Sequence, residues 1–190
     1  MEDAALFYKD IASESSNILF ENNLEINNYN LATIHRAENT DDVTKLKEMV
    51  TGLNKINRDK KVIVPLHPRT KKKLEALNLN IKFKIIEPVG YLDMISLINH
   101  ANVVLTDSGG LQEETTALGV PCITIRENTE RPITVDEGSN VLVGTNPTRI
   151  IDETRKILSN QGKSCRRPKL WDGKAAERIV AIMTKELSHH

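Results

Sequence analysis

Apolar positions along the chain fall into two alternating kinds of segment. Short runs rich in β-branched residues recur at 29–34, 62–66, 83–86, 103–106, 122–125 and 141–143, and read as strands. Between them, apolar residues return every three or four positions, the spacing that gathers them on one face of a helix. Residues 2–20 read as one helix, with Ala5, Leu6, Ile11, Ala12, Leu19 and Phe20 among its apolar positions. Residues 41–56 read as another, with Thr40 as N-cap and a face of Val43, Leu46, Lys47, Val50 and Leu53 that has one polar member. Pro68 opens a helix running to 77, in the first turn, where a missing N–H costs nothing. Helices are also expected at 91–100, 111–118, 147–158 and 173–187, the last preceded by a basic loop at 163–169. No repeat, low-complexity tract or linker interrupts this alternation, so residues 1–190 read as a single domain.

Repeated strand–helix units predict an α/β fold, with a parallel sheet covered by helices on both faces. Right-handed crossovers favour a doubly wound, Rossmann-like sheet. If its strand order is 3-2-1-4-5-6, the first strand lies beside the fourth and their C-terminal ends flank a crevice. His35, Arg36, Glu38 and Asn39 then face Ser108, Gly109 and Gly110 across one cleft.

The segment Ala101–Arg126 carries the clearest chemistry. Its apolar run Val103-Val104-Leu105 ends at Thr106-Asp107-Ser108-Gly109-Gly110, and a helical pattern follows at once. Glycines let the backbone approach a ligand, and the free N–H groups of a helix start favour an anion, most often phosphate. Ser108 adds a hydroxyl, and Glu114, about one turn in, can accept from ribose hydroxyls. The plainer reading is a Ser-Gly-Gly turn that only caps a helix. Three further polar clusters fall at strand ends on the same rim. His35-Arg36 can face a diphosphate, or be a structural histidine beside an Arg36–Glu38 ion pair. His67-Pro68-Arg69 can be a binding cluster or a helix-start turn, and Thr129-Glu130-Arg131-Pro132 a binding loop or a turn with an internal Glu–Arg pair.

Composition narrows the function classes. Lys plus Arg and Asp plus Glu are 26 each, so no net field recruits nucleic acid or an anionic membrane. Aromatic residues make up only 4%, too few for a base-stacking surface. The apolar runs are far too short to span a bilayer, and the acidic opening does not resemble a secretion signal. Cys122 and Cys165 form neither a disulfide framework nor a metal-type spacing, so a reducing cytoplasm is the expected compartment. His189 and His190 read as a tail or tag rather than as ligands.

Several motifs occur in order: Thr33-Ile34-His35-Arg36-Ala37-Glu38-Asn39, Leu66-His67-Pro68, Glu87-Pro88 through Tyr91-Leu92, Leu105-Thr106-Asp107-Ser108-Gly109-Gly110-Leu111-Gln112-Glu113-Glu114, Thr129-Glu130-Arg131-Pro132 and Val141-Leu142-Val143-Gly144. Together with Asp172-Gly173-Lys174-Ala175 before the last helix, they resemble the C-terminal half of the non-hydrolysing UDP-N-acetylglucosamine 2-epimerases. The resemblance implies one half of a GT-B fold, in which two Rossmann-like domains close on a UDP-sugar. It implies interconversion of UDP-GlcNAc and UDP-ManNAc by elimination of UDP and its re-addition, with no metal or redox cofactor.

By the same resemblance, His35 corresponds to an active-site histidine near the diphosphate, and Ser108, Gly109 and Gly110 to the diphosphate turn. Glu114 corresponds to the ribose-binding carboxylate and Arg131 to a substrate-binding arginine. Arg36 and His67 match positions that help form an allosteric UDP-GlcNAc site in bacterial members, and Met94 stands near the uracil where many relatives have an aromatic. Relatives are about twice as long, and the acid/base carboxylates for C2 lie in the preceding half. The expectation is therefore a UDP-binding C-terminal part that is inactive alone. Its helices at 1–22 and 173–187 are expected to pack at the interdomain crossover. Its expected partners are UDP or UDP-GlcNAc, an N-terminal domain in the same or a separate chain, and a second copy when full length. A UDP-sugar binding module without turnover and the donor-binding half of a GT-B glycosyltransferase are the alternatives.

Overall fold

The computed structural model describes residues 1–188, and the tail expected at His189 and His190 lies outside the described residues. Six strands form one sheet: β1 (Asn30–Thr33), β2 (Val62–Pro65), β3 (Lys84–Ile86), β4 (Val104–Thr106), β5 (Cys122–Thr124) and β6 (Asn140–Leu142). Their order is β3-β2-β1-β4-β5-β6 and each pairing is parallel. This is the order expected from the sequence. Leu31 lies opposite Val104 and Thr33 opposite Thr106, so β1 and β4 end side by side at the point where the winding reverses.

The helices in chain order are α1 (Glu2–Ser15), α2 (Ile18–Glu21), α3 (Ala37–Thr40), α4 (Val43–Asp59), α5 (Pro68–Ala76), α6 (Tyr91–Asn99), α7 (Gly109–Leu118), α8 (Pro132–Asp136), α9 (Pro147–Leu158) and α10 (Ala175–Leu187). Alternation along the strands sends successive side chains to opposite faces. Ala32, Val62, Val64, Val103 and Leu105 join Leu46, Met49 and Leu53 of α4 and Ile150 of α9 in one core. Leu31, Ile63 and Val104 join Ala5 and Ala12 of α1, Ile95 and Ile98 of α6 and Ala117 of α7 in the other. Both faces of the sheet are therefore buried, which is why its strands read as unbroken apolar runs.

Four local expectations need correction. The first helix is two: Ser16 is extended (φ −87°, ψ 128°), its hydroxyl donates to Asp93 Oδ1 at 2.6 Å, and α2 starts afresh after Asn17. The N-cap of α4 is Asp42, whose Oδ1 accepts from Thr44 N at 2.9 Å and Lys45 N at 3.1 Å, while Thr40 closes the unforeseen short helix α3. The buried face of α4 is Leu46, Met49, Val50, Leu53 and Ile56, with Val43 and Lys47 outside it. The last helix starts at Ala175 instead of Gly173, because Gly173 sits at φ +81°. Its first turn is held on α1, where Glu2 Oε1 accepts from Gly173 N at 3.2 Å and Asp3 Oδ2 from Ala175 N at 3.0 Å. Beyond that turn α10 buries no residue and leaves Ile179, Val180, Ile182 and Met183 exposed.

Candidate functional site

A cavity of about 530 Å³ opens at the C-terminal ends of β1, β2 and β4. His35, His67, Arg69, Met94, Ser108 and Leu111 are among its lining residues. Parallel strand ends aim their last side chains into one crevice, so residues far apart in sequence converge there. Four of the sequence candidates thus share one space: His35, His67, Met94 and Ser108.

The floor of the crevice is tied together by Asp107, at the end of β4 and fully buried. Its carboxylate accepts from His35 N at 3.1 Å, Arg36 N at 3.0 Å and Asn39 Nδ2 at 3.2 Å. It also lies 3.1 Å from Nδ1 of His35. A buried carboxylate is stable only when its lone pairs are filled by donors, and all of these donors come from the segment after β1. Just below, Thr33 Oγ1 and Thr106 Oγ1 share a buried 2.7 Å hydrogen bond. The β1 and β4 ends are thereby fixed to each other by side chains as well as by the ladder.

The start of α7 has the features the sequence reading assigned to a diphosphate turn. Thr106 Oγ1 accepts from Ser108 N at 2.9 Å, and Ser108 Oγ accepts from Leu111 N at a long 3.4 Å. Among the described residues, the Gly109 and Gly110 N–H groups donate to no backbone or side-chain acceptor. A side chain at Gly109 would approach Arg36 Nη2 and Glu130 Oε2, both 3.7 Å from an ideal Cβ, and one at Gly110 would meet the Met1 side chain at 2.6 Å. The first is ordinary contact and the second is the movable end of a side chain, so packing alone does not require glycine at either position. The capping role of Ser108 is real but weak, and its hydroxyl still faces the cavity.

The remaining candidates sit around this centre. Arg36 is placed beside Gly109 and has no bond to Glu38; Glu38 instead accepts from Arg126 Nε at 2.7 Å. The same buried Arg126 forks onto Glu130, with both contacts at 3.0 Å. That hydrogen-bonded guanidinium holds the Glu130 carboxyl down at about 2. The alternative reading of a turn with an internal Glu130–Arg131 pair is not met among the side chains: Arg131 Nε lies 2.9 Å from Glu113 Oε1. Arg131 and Glu114 do not line the cavity. Glu114 is buried, and desolvation pushes its carboxyl up to about 7, against the neighbouring Tyr91 hydroxyl, which favours the charged form. His67 is the N-cap of α5, its Nδ1 accepting from Arg69 N at 3.2 Å, so the helix-start reading holds; the residue also lines the cavity.

Sequence reasoning named Arg69 only within the His67-Pro68-Arg69 cluster and gave Arg126 and Asp107 no role. Arg69 lines the cavity while its guanidinium pairs with Asp41 at 3.1 Å, Arg126 is the hub of the rim ion pairs, and Asp107 is the hub of the floor. Asp107 had a signal, an acidic residue between a buried strand and a Ser N-cap, where it must find donors. Arg126 had only its place at the end of β5. Among the described residues no group of three or more His, Cys, Asp or Glu side chains is arranged to hold a metal ion.

Comparison with known proteins places this geometry among relatives. A family model described as UDP-N-acetylglucosamine 2-epimerase matches residues 1–184. A curated UDP-N-acetylglucosamine 2-epimerase of Methanocaldococcus jannaschii is 46% identical, over 96% of this chain and 52% of its own. A Pseudomonas aeruginosa protein named UDP-2,3-diacetamido-2,3-dideoxy-D-glucuronate 2-epimerase is 40% identical, over 97% of this chain and 51% of its own. The crystal structure of the Methanocaldococcus jannaschii enzyme in complex with UDP-GlcNAc and UDP superposes with a TM-score of 0.83 at 45% identity, covering 97% of this chain and 52% of that one. The chain spans about half the length of the curated relatives it matches.

Proposed function

The chain belongs to the UDP-N-acetylglucosamine 2-epimerase family, and on that premise we propose that it is the nucleotide-binding part of an enzyme interconverting UDP-GlcNAc and UDP-ManNAc. One observation carries the reading. The side chains of Ser108 and His35 meet at one strand-end crevice, and the next two residues after Ser108, Gly109 and Gly110, open α7 with unpartnered N–H groups, an arrangement suited to a diphosphate. In this reading the α7 start and Arg36 hold the diphosphate, Met94 packs beside the uracil and Glu114 takes the ribose hydroxyls. Arg131 reaches substrate from the rim, and Arg36 and His67 border a second UDP-GlcNAc site.

The chemistry follows from where charge develops. In the elimination, the bond from C1 to the UDP oxygen breaks and its electron pair passes to the diphosphate. The C2 proton leaves to a base supplied by the other half of the enzyme, and the C1–C2 double bond forms. Re-addition of UDP reverses these changes after the proton returns to the opposite face. A preorganised donor aimed at the departing oxygen lowers the barrier more than it tightens substrate binding. His35 is that donor.

The chain's span of about half its relatives favours a second reading, a UDP binder without turnover on its own. The exposed apolar side of α10, with Ile179, Val180, Ile182 and Met183, is then the surface that the other half covers, together with residues 1–22. Full-length assembly as a homodimer belongs to the same proposal. Among the described residues no helix is long and apolar enough to cross a membrane, and the unpaired Cys122 and Cys165 support a cytoplasmic setting.

Calorimetry with UDP, and an assay for UDP-ManNAc from the chain alone and with a relative's first half supplied, test both readings. UDP binding without turnover, with activity restored by the added half, is the expected result. Absence of UDP binding would refute the nucleotide assignment.

A further inference from the structure

The described histidines differ in what their Nδ1 atoms touch. Nδ1 of His67 accepts from Arg69 N at 3.2 Å, so in the neutral ring the proton must be on Nε2. Nδ1 of His100 meets the Ser96 carbonyl at 2.8 Å, and a carbonyl only accepts, so there the proton must be on Nδ1. Nδ1 of His35 lies 3.1 Å from Asp107 Oδ1, a carboxylate that is fully buried and already accepts from three N–H groups. A carboxylate so placed offers only lone pairs to the ring. His35 and His67 therefore line one cavity in opposite tautomers. His67 offers a fixed Nε2–H donor, and His35 a bare Nε2 that gains a proton only as the ring becomes charged.

We propose that Asp107 is a positioning residue that acts through His35. It locks the Nδ1–H tautomer, aims Nε2 at the cavity, and stabilises the imidazolium that donates from Nε2 to a diphosphate oxygen. No proton passes to Asp107, and the Nε2 proton is shared with the leaving oxygen by hydrogen bonding alone. The second half of this inference rests on the nucleotide reading above; the first half rests on geometry only. Asp107 is suited to the task because its other donors are the backbone N–H groups of His35 and Arg36 and the amide of Asn39. The group that orients the ring thus also fixes the backbone that carries it, leaving the imidazole little freedom to swing.

The test is ¹⁵N NMR of the imidazoles in the 190-residue chain itself, first in alkaline buffer without ligand. His100 serves as the internal standard for Nδ1–H and His67 for Nε2–H. The expected spectrum groups His35 with His100. Grouping with His67, or an averaged mixture of the two forms, would overturn the proposal. In Asp107→Asn, an amide NH₂ can face the ring, and His35 is expected to move toward Nε2–H while His67 and His100 keep their signals. An unchanged His35 tautomer in that folded variant would also overturn it. Should Asp107→Asn not fold, the unsubstituted chain still decides the point. UDP is then added near neutral pH, where His35 Nε2 is expected to show protonation and His67 no change of tautomer. If UDP binds and His35 Nε2 is silent, the imidazolium donor is wrong. If UDP does not bind at all, the nucleotide reading fails, while the tautomer result still stands for or against Asp107.

Discussion

The carboxylate of Glu114 on α7 is buried beside Tyr91, at the start of α6, and is cut off from water. The pair crosses two neighbouring helices and leaves Glu114 poised between its neutral and charged forms near physiological pH. Tyr91 responds in kind, with its phenol pushed up to about 12 by burial and by the Glu114 charge.

Stability should therefore fall as pH rises between 4.5 and about 7, the unfolded and folded values for Glu114. In that window the folded state holds a proton that the unfolded state has released, so ionisation favours unfolding. At about 1.4 kcal/mol per pH unit, the full loss above pH 7 is on the order of 3 kcal/mol. Glu114→Gln keeps the size of the side chain and removes the titration. Thermal melts across this range should be flatter for the variant, and an equal slope in both proteins would refute the assignment.

Ser108→Ala separates cap from ligand contact. The 3.4 Å bond to Leu111 N is long, so the melting temperature should drop by less than a full N-cap loss of about 1 kcal/mol would cause. The UDP dissociation constant should rise by about tenfold, corresponding to about 1.4 kcal/mol for a lost hydrogen bond to an anion. Loss of stability with intact affinity would return Ser108 to a purely structural role.

Arg126→Met should weaken UDP binding although Arg126 does not line the main cavity. The fork onto Glu130 neutralises a carboxylate whose Oε2 stands 3.7 Å from where a Gly109 Cβ would lie. Released from Arg126, that charge faces the diphosphate position. The expected loss is on the order of fivefold, about 1 kcal/mol, and smaller at high salt because screening weakens the repulsion. A salt-independent loss seen by calorimetry would point to a rearranged loop instead.

Ile182→Asp should leave the stability of this chain within about 0.5 kcal/mol, since α10 buries nothing beyond its first turn. The same change should abolish complex formation with a supplied first half, as read by sedimentation. Wild-type assembly by the variant would remove α10 from the interdomain surface.

The fold was almost wholly legible in the sequence because both faces of the sheet are buried. That requirement writes each strand as a short apolar run and each helix as a one-sided stripe, and parallel strands force crossovers between them. Boundaries were less legible where a single side chain decides them. Ser16 breaks the first helix because Asp93, distant in sequence, accepts its hydroxyl proton, and Asp42 outcompetes Thr40 as cap because it reaches two N–H groups. The short helices α3 and α8, four and five residues long, are too brief to show a period.

What the sequence determined by itself was the alternation of buried strands and crossover helices, which limits the winding to a few orders; the common order, which the structure has, then brings His35 and Ser108 to one crevice. What only the tertiary structure decided was the pairing of charged groups around that crevice. Glu38 turned to Arg126 instead of Arg36, Glu130 likewise, and Arg131 to Glu113, while Asp107 gathered the donors of the β1 end. The physical reason is range. Apolar burial is read from spacing along one segment, whereas the partner of a charge is set by lateral distances of a few ångströms between strands and loops that folding alone brings together.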